Sequence, residues 1–164
     1  MANVFQFGMK EKILPILAPA DIAATETGTA YVDLKDLQWA SFLISLGAVT
    51  TGTATLTVEV STAASSNATE AAVPFTYRLS SAVATDNWGD PTTATSAGAT
   101  IATDADNKLI LVELDPAALP SNPGEGHTFA RLVISPTTDM AAMLVGVSLI
   151  GAARYPGAEI VSAT

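Results

Sequence analysis

Residues 53–62 read Thr-Ala-Thr-Leu-Thr-Val-Glu-Val-Ser-Thr, and this stretch limits the fold more than any other. Leu56, Val58 and Val60 recur at every second position, with Thr55, Thr57, Glu59 and Ser61 between them. Side chains of a strand alternate between faces, so this period of two specifies a strand with one buried face and one wet face. Nothing along the chain sustains the 3.6-residue period of an amphipathic helix. The chain is therefore expected to be all-β.

Further strands follow from the same pattern. Thr29 to Leu34 alternates, with Ala30, Val32 and Leu34 on one side. Leu37 to Leu46 is nearly continuously apolar, predicting a strand buried on both faces that places Trp39 in the core and ends at Gly47. Strands are also predicted at Val73–Leu79, Ala99–Ala102, Lys108–Leu114 and His127–Ser135. A last one spans Ala141–Ala152, broken at Gly146 and Gly151. Between them, 63–72 reads as a polar loop, 80–98 as a long loop holding Trp88, and 121–126 as a turn. Asp115-Pro116 suits a single helical turn, with Asp115 capping it and Pro116 in its first position. Ile13 to Leu17, interrupted by Pro15 and followed by Pro19, reads as an edge strand or an extended tether, because proline cannot donate to a ladder.

About eight strands at this spacing predict an antiparallel β-sandwich, jelly-roll-like, with extended N- and C-terminal arms. The expected division is an N-terminal arm and edge segment over 1–22, a sandwich domain over 23–153 and a tail over 154–164.

Composition narrows the function. Seven basic residues stand against 16 acidic ones, for a formal charge of −9. The seven cations are scattered, and a nucleic-acid binder needs a basic patch to neutralise phosphate, so no nucleic-acid partner is expected. No run of 18 apolar residues occurs, so no membrane-spanning helix is expected. Lys10, Glu11 and Lys12 interrupt the place where a signal sequence would be apolar, so synthesis in a host cytoplasm without a signal peptide is the expectation. The Ala, Thr and Ser that dominate the rest lose little side-chain entropy on burial and suit flat contact surfaces.

Chemistry is hard to build from these residues. There is no cysteine and one histidine, His127, read as a turn residue. No Gly-x-Ser-x-Gly elbow is present, and no enzymatic activity or cofactor is expected. One histidine without cysteine is too little for a zinc site. Asp104-Ala105-Asp106-Asn107 is the best calcium candidate, but the complete calcium-loop pattern is missing, and a solvated turn is the favoured reading, so no metal is expected. Asn67-Ala68-Thr69 matches a glycosylation acceptor, which has no meaning without secretion.

Several runs carry a resemblance. They are Ala23-Ala24-Thr25, Gly28 to Leu34, the apolar Trp39–Leu46 segment, Ala54 to Ala63, Phe129 to Ile134 and Ala153-Arg154-Tyr155. In texture and strand order the chain resembles the capsid cement (decoration) proteins of tailed bacteriophages. The resemblance implies a virion structural protein on the outside of the head. It would bind a major capsid protein of HK97-like fold and associate with itself as a homodimer or homotrimer. The candidate contact residues are Phe5 and Phe7 in the N-terminal arm, Trp88 in the long loop, and Arg154 and Tyr155 in the tail, since aromatic and arginine anchors dominate interfaces. Two other expectations stay open. A carbohydrate- or ligand-binding sandwich of a tail fibre or adhesin is motivated by Trp88 and the Asp104–Asp106 turn. A tail-tube or head-completion protein is the third.

Overall fold

The computed structural model describes residues 11–23, 25–65, 70–119, 121–122, 125–126, 128–154 and 162–163. In chain order the strands are β1 (Glu11–Asp21), β2 (Thr27–Gly28), β3 (Tyr31–Asp33), β4 (Leu37–Thr50) and β5 (Ala54–Ser61). Next come β6 (Glu70–Val73), β7 (Phe75–Leu79), β8 (Thr92–Ala94), β9 (Ala99–Ile101) and β10 (Leu109–Leu114). The last are β11 (Ser121–Asn122), β12 (Glu125–Gly126), β13 (Phe129–Pro136), β14 (Ala142–Ala153) and β15 (Ser162–Ala163). Short 3₁₀ turns occupy Thr103–Ala105 and Pro116–Ala118. The second is capped as expected, with the Asp115 carboxylate accepting the Ala117 N–H at 2.9 Å.

The strands form an antiparallel sandwich. One sheet has six strands in the order β1-β14-β4-β10-β7-β8. The other runs β15-β3-β13-β5-β6, with β2 also on β13 and β9 also on β5. A separate hairpin pairs β11 with β12. The chain passes from β1 in the first sheet to β3 in the second, returns to β4, and crosses again to β5 and β6. It then enters the first sheet at β7 and β8, crosses to the second at β9, returns to the first at β10, enters the second again at β13, and ends its long strands in the first at β14. This repeated crossing is the winding of a jelly roll, with β10 inserted between β4 and β7.

Alternation explains the core. On β5, Leu56, Val58 and Val60 are fully buried, as their spacing predicted. They meet Leu132, Ile134 and Ala130 of β13 within their sheet and Phe42, Ile44 and Leu149 of the facing sheet in one apolar cluster. Phe42 is fully buried between its β10 and β14 neighbours Val112 and Leu149. Truncating such a ring costs about 3–5 kcal/mol.

Several expectations change. β4 is buried on one face, not two: Ala40, Phe42, Ile44 and Leu46 point inward, while Trp39 is 38% exposed and outside the core. The strand also runs through Gly47 to Thr50. β14 is likewise unbroken by its glycines. A Cβ at Gly146 would lie 3.2 Å from the Pro19 ring, so this glycine lets β1 lie against β14 where its prolines shift the register. The expected single strand over 73–79 is two strands in different sheets. Val73 pairs with Val58, Phe75 pairs with Ala94, and the chain changes sheets across Pro74. β6 accordingly begins at Glu70, inside the segment read as loop.

β1 settles the choice between edge strand and tether. It pairs with β14 from Glu11 to Asp21 at the edge of the six-stranded sheet, where Pro15 and Pro19 have no N–H to give a ladder. Asp21 closes the strand, its carboxylate accepting the N–H groups of Met143 and Ala23 at 3.1 Å each.

Candidate interaction surface

Strand register turns the sequence of the six-stranded sheet into a map of its outer face. Across β1, β14, β4, β10 and β7 one row reads Ile13, Ile150, Ser41, Glu113 and Thr76. A neighbouring row reads Pro15, Ser148, Leu43, Leu111 and Arg78. Trp39 pairs with Ala152 beyond the first row, and Leu109 pairs with Ser45 beyond the second. Neither β4 nor β14, the long neighbouring strands of this face, contains a charged residue. Ile13, Trp39, Leu109 and Leu144 are exposed, and Leu43, Leu111 and Ile150 are half-buried. The charged side chains here sit toward the margins. Glu113 and Arg78 face each other at 3.8 Å with both side chains well exposed, a pair worth no more than about 1 kcal/mol.

The outer face of the other sheet is built differently. Arg131 of β13 lies across β5 and β6. Its Nη2 is 2.8 Å from Glu59 Oε2 and 3.1 Å from Glu70 Oε1. Its Nε donates to Glu59 at 2.9 Å, and its guanidinium sits 4.7 Å from the centroid of the Tyr31 ring. All three ionic side chains are a quarter exposed or less. Thr55, Thr57 and Ser61 cover the rest of β5. This face satisfies its own charges.

At one end of the apolar face lies a cleft of about 600 Å³. Trp39, Val73, Pro74, Phe75, Leu114 and Leu119 supply its apolar walls. Ser41, Thr76, Glu113 and Asp115 supply its polar groups. The volume falls in the usual range for ligand pockets, roughly 300–1,000 Å³.

The residues singled out from sequence are dispersed. Trp88 is 38% exposed on a loop pinned at its base, where Ser81 N–H donates to Asn87 O and Gly89 N–H to Leu79 O, each at 2.9 Å. Arg154 closes β14, its N–H donating to Asp36 O at 2.7 Å and its Nη2 to Leu37 O at 3.4 Å. Ser80, at the foot of the Trp88 loop, lies beside the Leu109–Ser45 row, while Arg154 lies beside the start of β4. Along β4 those places are about 20–27 Å apart at 3.4 Å per residue, so the two do not form one site. Phe5, Phe7, Tyr155, His127 and the Asn67-Ala68-Thr69 triplet lie outside the described residues. Asp106 of the acidic turn is committed to the fold. Its Oδ1 accepts the Val49 N–H and its Oδ2 the Asn107 amide, each at 2.9 Å. No group of three or more His, Cys, Asp or Glu suited to a metal occurs among the described residues.

Trp39, Leu43, Leu109, Leu111 and Ile150 were not identified as surface residues by sequence reasoning. The signal was present in β4, where Trp39, Ser41, Leu43 and Ser45 alternate with Ala40, Phe42, Ile44 and Leu46. The outward series is too apolar to stand out from the inward one.

No helix among the described residues is long and apolar enough to cross a membrane. No protein-family model and no curated protein matches the chain. Among solved structures, a chain from "Structure of infectious bursal disease virus Gt strain" aligns at 11% identity with a TM-score of 0.22, a likeness too slight to bear on fold or function. The alignment covers 94% of this chain but only 44% of that one, so this chain spans less than half of its length.

Proposed function

We propose that this protein is a bacteriophage virion structural protein of the cement (decoration) type. In this reading it works by contact, laying the outer face of its six-stranded sheet on the outer surface of a shell built from an HK97-like major capsid protein. The observation that carries the reading is the broad outer face of β4 and β14, rich in Ser, Gly, Ala and Leu, and without a charge on either strand. Small side chains lose little entropy when covered, and contiguous apolar surface marks sites of association. The jelly-roll winding supports it, since this architecture recurs in viral capsid and lectin domains. So does the resemblance of the strand runs to phage cement proteins.

The test is co-sedimentation of the purified protein with expanded, DNA-filled heads that lack it. The expected result is saturable binding in fixed ratio to the capsid subunits, together with heads that survive heating to a higher temperature. Absence of binding at micromolar protein would remove the proposal. Analytical ultracentrifugation of the free protein tests self-association separately, with a dimer or trimer expected.

A further inference from the structure

We infer that the cleft beside Trp39 is a recognition site for an arginine side chain presented by an exposed polypeptide segment of a partner. The charged residues that line it, Glu113 and Asp115, are both acidic. Ser41 and Thr76 add hydroxyl oxygens, and no Lys, Arg, His, Asn or Gln is present in the lining. Ser41 is more than nine-tenths buried. The cleft's ionic groups are acceptors only, and its side-chain donors are neutral, the Ser41 and Thr76 hydroxyls and the Trp39 indole N–H. A saccharide is neutral and leaves the two carboxylates without a counter-charge. A guanidinium, with a positive charge, five N–H donors and no acceptor, supplies one.

Shape points the same way. Trp39 sits two residues from Ser41 on the outer side of β4, and Ser41 pairs directly with Glu113, which pairs with Thr76. An aromatic wall therefore stands beside a row of oxygens. The planar guanidinium stacks on aromatic faces and forks onto carboxylates, whereas an ammonium presents a point charge without that match. Leu114, Leu119, Phe75 and Pro74 would take the aliphatic stem and the flanking residues of the segment. Asp115 Oδ1 already accepts the Ala117 N–H, which fixes this carboxylate and leaves Oδ2 for a ligand. Arg78 is the internal competitor. At 3.8 Å from Glu113 it holds that carboxylate loosely, as a stand-in that an incoming arginine displaces.

The test uses the isolated protein, so its outcome is independent of shell binding. In Trp88→Phe, Trp39 is the one remaining tryptophan and its fluorescence reports the cleft. The probes are the capped tetrapeptide Val-Arg-Val-Gly and its citrulline and lysine counterparts. The arginine peptide is expected to give a saturable change at millimolar concentration. The citrulline peptide should give none, and the lysine peptide should bind about five- to tenfold more weakly. Glu113→Gln and Asp115→Asn should each weaken binding about five- to tenfold, with far-UV circular dichroism unchanged. Arg78→Gln should strengthen it by removing the competitor. Equal binding of the citrulline or lysine peptide, no response to the arginine peptide, or weaker binding by Arg78→Gln would each overturn the assignment.

Discussion

The two outer faces of this sandwich are cut from the same kinds of strand but close in opposite ways. On the β13-β5-β6 face, one arginine gathers two glutamates and a tyrosine ring into a network that is at least three-quarters buried. On the β14-β4-β10 face, isoleucine, leucine and tryptophan alternate with serine and glycine, and no charge lies on the two long strands. The first face has spent its polar groups on itself. The second leaves apolar area that only another surface can cover. A charged face tolerates water indefinitely, whereas covering the apolar one is favourable by about 25 cal/mol per Å² removed from water. Under the proposed function the first face serves stability and the second association, and each half of that reading can be attacked separately.

The largest effect is expected from a charge placed in the middle of the apolar face. Leu43 is half-buried and points outward beside Ser148 and Leu111. Leu43→Glu should leave the melting temperature within a few degrees of the parent, because the inward side chains are untouched. In the co-sedimentation assay it should weaken shell binding at least about a hundredfold, since a carboxylate buried without a partner in an interface costs several kcal/mol. Retained binding would move the interface to another surface.

The reciprocal substitution lies on the other face. Arg131→Met should leave Glu59 and Glu70 close together without their shared cation and cost about 3 kcal/mol in urea unfolding. Arg78→Met breaks the exposed pair on the apolar face and should cost less than about 1 kcal/mol. If the two losses are equal, the Arg131 network is not the closed structure its distances suggest. Shell binding should survive Arg131→Met when measured well below its melting temperature.

Sequence disclosed the inside of this molecule far better than its outside. The alternation of β5 fixed which of its side chains are buried, because Thr and Glu separate each Leu or Val from the next. In β4 the same period is hidden. Trp39, Leu43 and Gly47 interrupt the apolar run no more than the core residues between them, so hydropathy gives no face and predicts Trp39 inward. The switch of sheets at Pro74 was illegible for a related reason. Val73 and Phe75 are both buried, but under different sheets, and only long-range pairing to Val58 and Ala94 separates them. The cleft combines residues from β4, the end of β6 with Pro74, β7, β10 and the turn after β10, which are brought together by the change of sheets at Pro74 and the insertion of β10 between β4 and β7. No local pattern encodes that neighbourhood.

The smallest effect tests how the apolar face ends. Asp21 pairs with Leu144 at the edge of the sheet. The N–H groups of Met143 and, to a lesser degree, Ala23 hold its carboxyl below the ordinary aspartate value of 3.8. A folded-state pKa below the unfolded one means the unfolded chain takes up the proton first as pH falls. The stabilisation from Asp21 is therefore complete above pH 3.8 and is lost as pH drops through the lower folded value. Asn keeps one acceptor oxygen but no charge, so Asp21→Asn should melt slightly below the parent at neutral pH. The gap between the two should narrow as pH falls below 3.8, because the parent loses its charge there and the variant has none to lose. Thermal melts at a series of pH values from neutral down to the folded-state titration would show it. A gap independent of pH would mean that the two backbone bonds depend on the shape of the side chain and not on its charge, and that the apolar face is closed at this corner without electrostatics.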